Sequence, residues 1–265
     1  MLVSRFSILA LLKTGLELKM NAQIFDSLAD AIKTGEPVIL ATIIRGAENE
    51  VGLHMLIRCD GSMSGDFEDP ALFVNVQMHT PQLFEREATE IFRGGSREIF
   101  LESYFPPSKL VIVGAVHVAI PLVTFAKELG YKVILIDPRQ TFATADRFPH
   151  VDALIRRWPD EALAEVGIDA STCLVVLTHD PKFDDPAIKY ALQYSPAYIG
   201  VLGSRKTHEK RLQRLKQEGL TNEQLARLHA PIGLDINACT PAEIALSIMS
   251  EIIAVRRGPV NRDQF

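Results

Sequence analysis

The sequence predicts an α/β protein: a Rossmann-like domain built on a parallel sheet, preceded by a small α+β domain. From Lys109 onward, short apolar runs alternate with longer amphipathic stretches, which is the pattern of right-handed βαβ units. Before that point, short β-branched runs are joined by tight turns. The step Pro106-Pro107-Ser108 separates the two patterns and is typical of a linker.

Length, charge and cysteine content narrow the class of protein. The chain has 265 residues and a formal net charge of −5. Its length fits one or two domains, since single cores usually stop growing at about 250–300 residues. No basic stripe is present, so nucleic acid is not expected as a partner. The three cysteines form no C-x-x-C pair, which favours a reducing, cytoplasmic compartment, and Cys173 is predicted to be a buried small apolar residue.

Residues 1–20 form an extension that precedes the regular pattern. Its apolar patch, Phe6–Leu12, is too short to span a bilayer, and no small-x-small cleavage site follows closely. No membrane association is therefore expected. The extension is either a short extra helix or a segment upstream of the true initiator Met20; the second is favoured because clean amphipathic spacing begins only after Met20.

Residues 21–104 are predicted to form the small α+β domain. Its first helix is Ala22–Thr34, where apolar residues recur four apart and Gly35 ends the run. The turn Asp60-Gly61 predicts a hairpin. The other elements follow from apolar runs and helical spacing: strands Val38–Ile44, Gly52–Cys59, Ser62–Phe67 and Leu72–Val76, helix Gln82–Phe92, and edge strand Glu98–Ser103.

Residues 108–258 are predicted to form the Rossmann-like domain. Its last helix, Pro241–Arg257, has the clearest local signals: Thr240 as N-cap, Glu243 completing a capping box, and Gly258 as the stop. The predicted strands are Leu110–Val113, Lys132–Ile136, Val151–Ile155, Cys173–Leu177 and Ala197–Leu202. The other predicted helices are His117–Leu129, Asp160–Glu165, Pro186–Tyr194, Lys206–Glu218 and Thr221–His229.

The turn after the first of these strands partly matches the dinucleotide pattern G-x-G-x-x-G/A. Gly114 and Ala119 occupy its first and last positions, but Val116 replaces the middle glycine and should crowd a diphosphate. Asp137 ends the next strand, where an acid would hold ribose hydroxyls. NAD(P) is therefore one candidate cofactor. The equally favoured alternative is that this turn binds no ligand and only packs the helix on the strand. His117 either faces the ligand crevice or is satisfied by backbone.

The strand Cys173–Leu177 is followed by Thr178-His179-Asp180-Pro181-Lys182. Polar groups at the carboxyl end of a strand converge on the ligand crevice. Asp180 could orient His179 or accept a ligand hydroxyl, and Lys182 could meet a phosphate. The alternative is an Asp-Pro turn with a solvated lysine; ligand binding is favoured.

The strongest anion-site signal follows the strand Ala197–Leu202. Gly203 permits close backbone approach, and Ser204 can cap the next helix or donate to an oxyanion. Arg205 and Lys206 fall in the first helical turn, where the helix dipole disfavours cations unless an anion binds among them. Further on, Asp235 either positions a ligand or satisfies the backbone of its own loop.

These segments, in this order, resemble the xanthine dehydrogenase accessory protein family (XdhC/CoxI). The two most specific matches are Thr178–Lys182 and Leu202–His208. The resembling stretches are Val113–Ala119, Leu135–Arg139 with Phe142–Thr144, Leu177–Asp185, Tyr198–Arg211, His229–Ile236 and Thr240–Gly258. The resemblance implies a chaperone, rather than a turnover enzyme, that binds molybdenum cofactor (molybdopterin). Such a chaperone protects the cofactor during sulfuration and helps insert it into a xanthine dehydrogenase-type molybdenum hydroxylase.

The resemblance also implies partners and has two departures. The partners are the target hydroxylase and a sulfur-donating desulfurase, and an isologous homodimer is one assembly open to this class.

The chain departs from the family pattern at two places. Val116 stands where the family has glycine, and Gly65-Asp66-Phe67-Glu68 lacks the cysteine that the family carries after its D-G turn. Cys59 precedes the turn and is no positional replacement. A third hypothesis follows, in which the chain kept the fold with an altered ligand or none.

Overall fold

A computed structural model describes residues 21–65, 67, 69–86 and 89–258. The predicted extension, residues 1–20, lies outside the described residues. The chain divides between Pro106 and Pro107 into two compact units.

The first unit is an antiparallel sheet with a helix on each face. Helix α1 buries Ile24 and Leu28 against one face, and α2 buries Leu72 and Val76 against the other, so both faces of β1 are covered. The strand order is β3-β2-β1-β5-β4. The elements are α1 (Ala22–Thr34), β1 (Val38–Arg45), β2 (His54–Arg58), β3 (Met63–Gly65), α2 (Pro70–Arg86), β4 (Glu90–Gly94) and β5 (Arg97–Tyr104).

Helix α2 corrects the prediction of a strand over Leu72–Val76. Leu72, Val76 and Leu83 share the buried face of a helix, so the helical period prevails over the β-branched local composition. Pro81 lies inside α2 and cannot bond the carbonyl four residues before it; the Thr80 hydroxyl instead donates to the Gln77 carbonyl at 3.2 Å.

The predicted helix Gln82–Phe92 is also wrong in its second half. The helix ends at Arg86, and Glu90–Gly94 is strand β4, paired with β5; residues 87–88 lie outside the described part of the chain. Pairing with β4 on one side and β1 on the other makes β5 an interior strand, not the predicted edge strand.

The second unit is a six-stranded parallel sheet with helices on both faces, which confirms the predicted Rossmann-like fold. The strand order is β11-β10-β9-β6-β7-β8. The strands are β6 (Lys109–Val113), β7 (Lys132–Ile136), β8 (Ala153–Ile155), β9 (Thr172–Val176), β10 (Tyr198–Val201) and β11 (Leu228–His229). The helices are α3 (Ala119–Glu128), α4 (Pro159–Val166), α5 (Pro181–Ala191), α6 (Arg205–Gln217), α7 (Asn222–Leu225) and α8 (Pro241–Arg257).

Two apolar layers enclose this sheet. Helices α3 and α8 pack on one face with Leu110 and Ile112, and α4, α5 and α6 pack on the other with Val111 and Val113. Cys173 is buried in the first layer, as predicted. Among the described residues, no helix combines the length and apolarity needed to cross a membrane.

The sheet has one topological switch point. From β6 the chain proceeds through β7 and β8 toward one edge, and from β9 through β10 and β11 toward the other, so the order reverses between β6 and β9. Open α/β sheets bind ligands in the crevice at such a point. The predicted helix Thr221–His229 is wrong at its end, because α7 stops at Leu225 and Leu228 pairs with Ile199 of β10.

Candidate functional site

The switch point brings Gly114 and Thr178 into contact. Val113, the last residue of β6, pairs with Val176, the last residue of β9, so the loops that follow leave the sheet side by side. Gly114 has φ +115°, and a Cβ built there would lie 2.8 Å from Thr178 Cγ2 and 3.1 Å from Thr178 N. Only glycine allows the two loops to approach this closely.

Val116 fits the turn without a glycine-type conformation. Among the described non-glycine residues only His179 and Asn237 have positive φ, and the side chain of Val116 packs half-buried against the α3 layer. The positive φ in this turn belongs to Gly114. The substitution is therefore compatible with the fold, while its effect on a diphosphate stays a prediction.

The start of α3 offers backbone donors. No side chain caps the helix at Val118, and within the described part of the chain the N–H groups of Val116, His117 and Val118 have no acceptor. His117 is exposed beside them. Uncapped N–H groups at a helix N-terminus suit an anion, so this end of the crevice can bind a negatively charged group.

Asp137 is fully buried and holds the turn together. Its carboxylate accepts hydrogen bonds from Ala115 N at 2.8 Å, Arg139 N at 2.9 Å, and the Arg139 guanidinium at 2.9 Å and 2.7 Å. Burial alone would raise the pKa of Asp137, but the hydrogen bonds from Arg139 and Ala115 outweigh it and hold the pKa below its usual value. The predicted ribose contact stays a prediction, and it would require one of these bonds to be replaced.

The loop after β9 exposes three residues that were predicted to bind a ligand: His179, Asp180 and Lys182. His179 is in the left-handed region with φ +61°, an uncommon conformation for a residue with a Cβ. Asp180 caps α5, accepting from Lys182 N at 3.0 Å, and it makes no hydrogen bond to His179 in the described structure. The Nζ of Lys182 lies 5.0 Å from the centroid of the Trp158 ring. Because Asp180 is the cap, α5 begins at Pro181, earlier than predicted.

The loop after β10 leads into α6, which begins at Arg205, one residue before the predicted start. Ser204 is the N-cap and accepts from Thr207 N at 3.2 Å, while Gly203 has φ +150°. Arg205 and Lys206 are exposed and form no ion pair within the described residues. Two unpaired cations therefore occupy the helix end where the dipole disfavours them.

A buried polar network connects these two loops. Thr178 Oγ1 donates to Asp184 at 2.5 Å, and the Nη2 of Arg211 lies 3.4 Å from Asp184 and donates to the Leu202 carbonyl at 3.2 Å. Asp184 is 1% exposed and Arg211 2%. Burial raises the pKa of Asp184 and lowers that of Arg211, in each case against the attraction of the partner. The contacts run from Gly114 through Thr178, Asp184 and Arg211 to the peptide that precedes Gly203.

Three buried nitrogen atoms near this network lack partners. They are Nε and Nη1 of Arg211 and Nδ1 of His208, considering the described residues only. Burial, followed by repulsion from Arg211, lowers the pKa of His208. Buried polar atoms are nearly always hydrogen bonded, so this region favours an additional acceptor.

Asp235 lies on an anchored loop. Gly233 N donates to Glu251 at 2.8 Å, Leu234 N donates to the Ser247 carbonyl at 3.2 Å, and Glu251 also accepts from the Tyr198 hydroxyl. Asp235 itself is exposed and makes no hydrogen bond within the described residues. Its predicted ligand contact therefore stays a prediction.

Four residues that shape this region were not predicted from the sequence. Arg139 holds the buried Asp137, Asp184 and Arg211 join the loops after β9 and β10, and Trp158 contacts Lys182. Spacing offered one signal: Arg211 precedes the buried Leu215 by four residues and so shares its helix face. Arg139 bonds Asp137 only two residues earlier, whereas Asp184 meets Arg211 of α6, a contact that no local pattern identifies.

Comparison with known proteins identifies one matching family and several similar proteins. Residues 110–252 match the XdhC Rossmann domain family. The chain is 27% identical over 250 residues to the protein YqeB of Escherichia coli K12, an alignment that covers 88% of this chain and 46% of YqeB. It is 33% identical over 159 residues to a probable xanthine dehydrogenase subunit of Bacillus subtilis 168, covering 60% of this chain and 46% of the relative.

One more relative and one solved structure are also similar to this chain. The molybdenum cofactor insertion chaperone PaoD of Escherichia coli K12 is 36% identical over 95 residues, which cover 36% of this chain and 30% of PaoD. The alignments thus span less than half the length of each of these three relatives. A solved structure described as a xanthine dehydrogenase from Bacillus halodurans superposes with a TM-score of 0.68 at 25% identity, covering 89% of this chain and 67% of that one.

Proposed function

The chain belongs to the XdhC family, and on that premise we propose that it binds molybdenum cofactor and helps insert it into a xanthine dehydrogenase-type molybdenum hydroxylase. The chain acts in this proposal as a chaperone, with no reaction of its own. The names of PaoD and of the Bacillus subtilis relative support this assignment. Residues 108–258 would form the cofactor-binding domain, and residues 21–104 would form the small accessory domain.

The observation that carries the proposal is the pair of unpaired cations at the start of α6. The cofactor is a pterin that bears a phosphate. Arg205 and Lys206 have no carboxylate partner within the described residues, and they stand where the helix dipole disfavours positive charge. A phosphate bound at this N-terminus would compensate both cations and would accept from the free backbone N–H groups.

The residues present fit such a group. Gly203 and Ser204 would admit the phosphate to the backbone, and Arg205 would neutralise it. The buried Arg211, with Nε and Nη1 unpartnered among the described residues, adds positive charge beneath the Leu202–Gly203 peptide. When bound, the cofactor supplies the molybdenum centre of the target enzyme.

The other predicted residues would hold the remainder of the ligand. The exposed residues His117, His179 and Lys182 follow β6 and β9 on either side of the switch point, and Asp180 fixes the start of α5. The two histidines and Lys182 would donate to ligand oxygens and orient the ligand in the crevice. Sulfuration while the cofactor is held, a desulfurase as sulfur donor, and a homodimeric assembly in the cytoplasm are further parts of the proposal.

Retention of the cofactor tests the proposal. The purified full chain is incubated with molybdenum cofactor and separated by size-exclusion chromatography, and molybdenum and pterin are measured in the protein fraction. We expect about one cofactor per chain. If neither molybdenum nor pterin elutes with the protein, the proposal that the chain binds and delivers the cofactor is wrong. The hypothesis of a chain that kept the fold and lost the ligand is then favoured.

NAD(P) is a second candidate, favoured by Gly114 and the uncapped start of α3. Both oxygens of Asp137 already accept hydrogen bonds, which weighs against ribose recognition there. Titration with NAD and NADP decides between the candidates, and absence of binding at millimolar concentrations rules the dinucleotide out.

A further inference from the structure

We propose that Phe142, Trp158 and Phe183, together with Arg139 and Lys182, form a stacking site for the planar heteroaromatic ring of the ligand. The site lies on loops that follow the strands of the parallel sheet. That the ring is a pterin rests on the function proposed above. The existence of a stacking site rests on the contacts alone.

The three aromatic residues come from three consecutive strand ends. Phe142 follows β7, Trp158 follows β8, and Phe183 is in the first turn of α5, after β9. The rings of Trp158 and Phe183 have centroids 5.2 Å apart and are tilted by 39°. Aromatic residues so far apart in the sequence are therefore gathered at the ligand-binding edge of the sheet.

Two cations lie over these rings. The guanidinium carbon of Arg139 is 4.4 Å from the Phe142 centroid and 5.5 Å from that of Phe183. The Nζ of Lys182 is 5.0 Å from the Trp158 centroid and 5.9 Å from that of Phe183. Phe183 thus contacts both cations, and the five side chains form one continuous cluster.

The cluster is open to a ligand and reaches the switch point. Trp158 is 38% exposed and Phe142 39%, while Phe183 between them is buried. Arg139 bonds Asp137, which accepts from the N–H of Ala115 in the turn after Gly114. Stacking between two flat groups needs exposed ring faces, and recognition of a phosphate-bearing ring also needs nearby positive charge. Trp158 and Phe142 leave part of their surface to solvent, and Arg139 and Lys182 supply the positive charge beside them.

The ring could be the pterin of molybdenum cofactor or the adenine of a nucleotide, since each is a flat heterocycle linked to phosphate. Trp158 is the only tryptophan of the chain, so intrinsic tryptophan fluorescence reports on this site alone. The full chain is titrated separately with 6-hydroxymethylpterin, AMP and NAD, with free N-acetyltryptophanamide correcting for absorption by the ligand. We expect saturable quenching by the pterin.

Variants connect the signal to the cluster. Phe142→Ala is expected to weaken pterin binding on the order of tenfold, since stacking on one side chain has about that effect. Lys182→Ala is expected to weaken it through loss of the cation beside the Trp158 ring. Trp158→Ala, followed by calorimetry, measures the same loss without the fluorophore. Tyr194→Ala is the matched control, because Tyr194 is an exposed aromatic residue whose ring contacts that of Tyr190 outside the cluster. This variant should bind pterin as wild type does.

The outcomes separate this inference from the delivery function. If the cofactor is retained but pterin causes no saturable quenching and Trp158→Ala binds as wild type does, the stacking site is wrong and delivery stands. If pterin quenches through the cluster but the complete cofactor is not retained, the stacking site stands and delivery fails. Quenching by AMP and NAD alone overturns the pterin assignment.

Discussion

Gly114 and Thr178 touch where β6 and β9 diverge, with 2.8 Å between Thr178 Cγ2 and the place where a Cβ of residue 114 would lie. The two loops that frame the crevice therefore approach each other across a residue that has no side chain. This approach of the two loops depends on residue 114 being glycine with φ +115°.

Gly114→Ala should destabilise the fold through this contact. The alanine would meet both a positive φ and an overlap with Thr178, whereas Gly130→Ala meets a positive φ of +81° with nothing within 4 Å. The conformational cost, about 1–2 kcal/mol, is common to both variants. Urea denaturation should show a further loss of about 1–3 kcal/mol for Gly114→Ala alone. Equal losses in the two variants would show that the loops do not touch.

Arg211 and Asp184 should behave as one buried unit. Arg211→Met leaves the Asp184 carboxylate buried beside a neutral side chain, and breaking a buried ion pair costs about 3–5 kcal/mol. Adding Asp184→Asn removes the stranded charge, so the double variant should recover part of that loss in the free energy of unfolding. Strictly additive losses in the double-mutant cycle would count against the network.

Ser204 offers a way to separate capping from anion binding. Ser204→Ala should lower the free energy of unfolding by about 1 kcal/mol, because the hydroxyl caps α6. Ser204→Asp keeps an equally good cap but places a negative charge at the proposed phosphate site. We expect Ser204→Asp to unfold as wild type does and to lose cofactor retention. Full retention of the cofactor by Ser204→Asp would show that its phosphate does not bind at the start of α6.

Asp169 gives a pH-dependent prediction away from the crevice. Burial would raise the pKa of Asp169, but hydrogen bonds from Lys109, Ser171 and Thr172 lower it to about 2. The folded pKa is below the unfolded value of about 3.9, so this contribution is complete above about pH 4 and is lost as the pH falls toward 2. Between pH 5 and pH 2, the free energy of unfolding should fall less steeply for Asp169→Asn. Equal slopes of the free energy of unfolding against pH for wild type and Asp169→Asn would contradict this prediction.

Local signals predicted the elements that carry their own caps. Ala22–Thr34 and Pro241–Arg257 agree with the structure to the residue, because Gly35 ends the first and a capping box at Thr240 and Glu243 begins the second. The alternation of apolar runs and helices predicted the parallel sheet in the same way. These features depend only on residues close together in the sequence.

Long-range pairing decided what the sequence analysis missed. The apolar run Leu72–Val76 becomes helical because its buried face packs against the antiparallel sheet, and Leu228 becomes a strand because β10 offers a free edge. At the crevice, Asp137 also accepts from Ala115 N, 22 residues earlier, a bond that spacing along the chain does not indicate. The network around Arg211 joins α5, α6 and the ends of β9 and β10, which spacing along the chain does not specify.

The most direct test compares cofactor affinity in two charge-removing variants of α6. Arg205→Ala removes a cation from its first turn and Lys216→Ala removes one from its last; both residues are exposed, so both variants should fold as wild type does. Dissociation constants for molybdenum cofactor are measured at two salt concentrations. We expect affinity to fall on the order of tenfold for Arg205→Ala, with a weaker salt dependence, and to be unchanged for Lys216→Ala. Equal affinities for wild type and both variants would contradict an anion site at the start of α6.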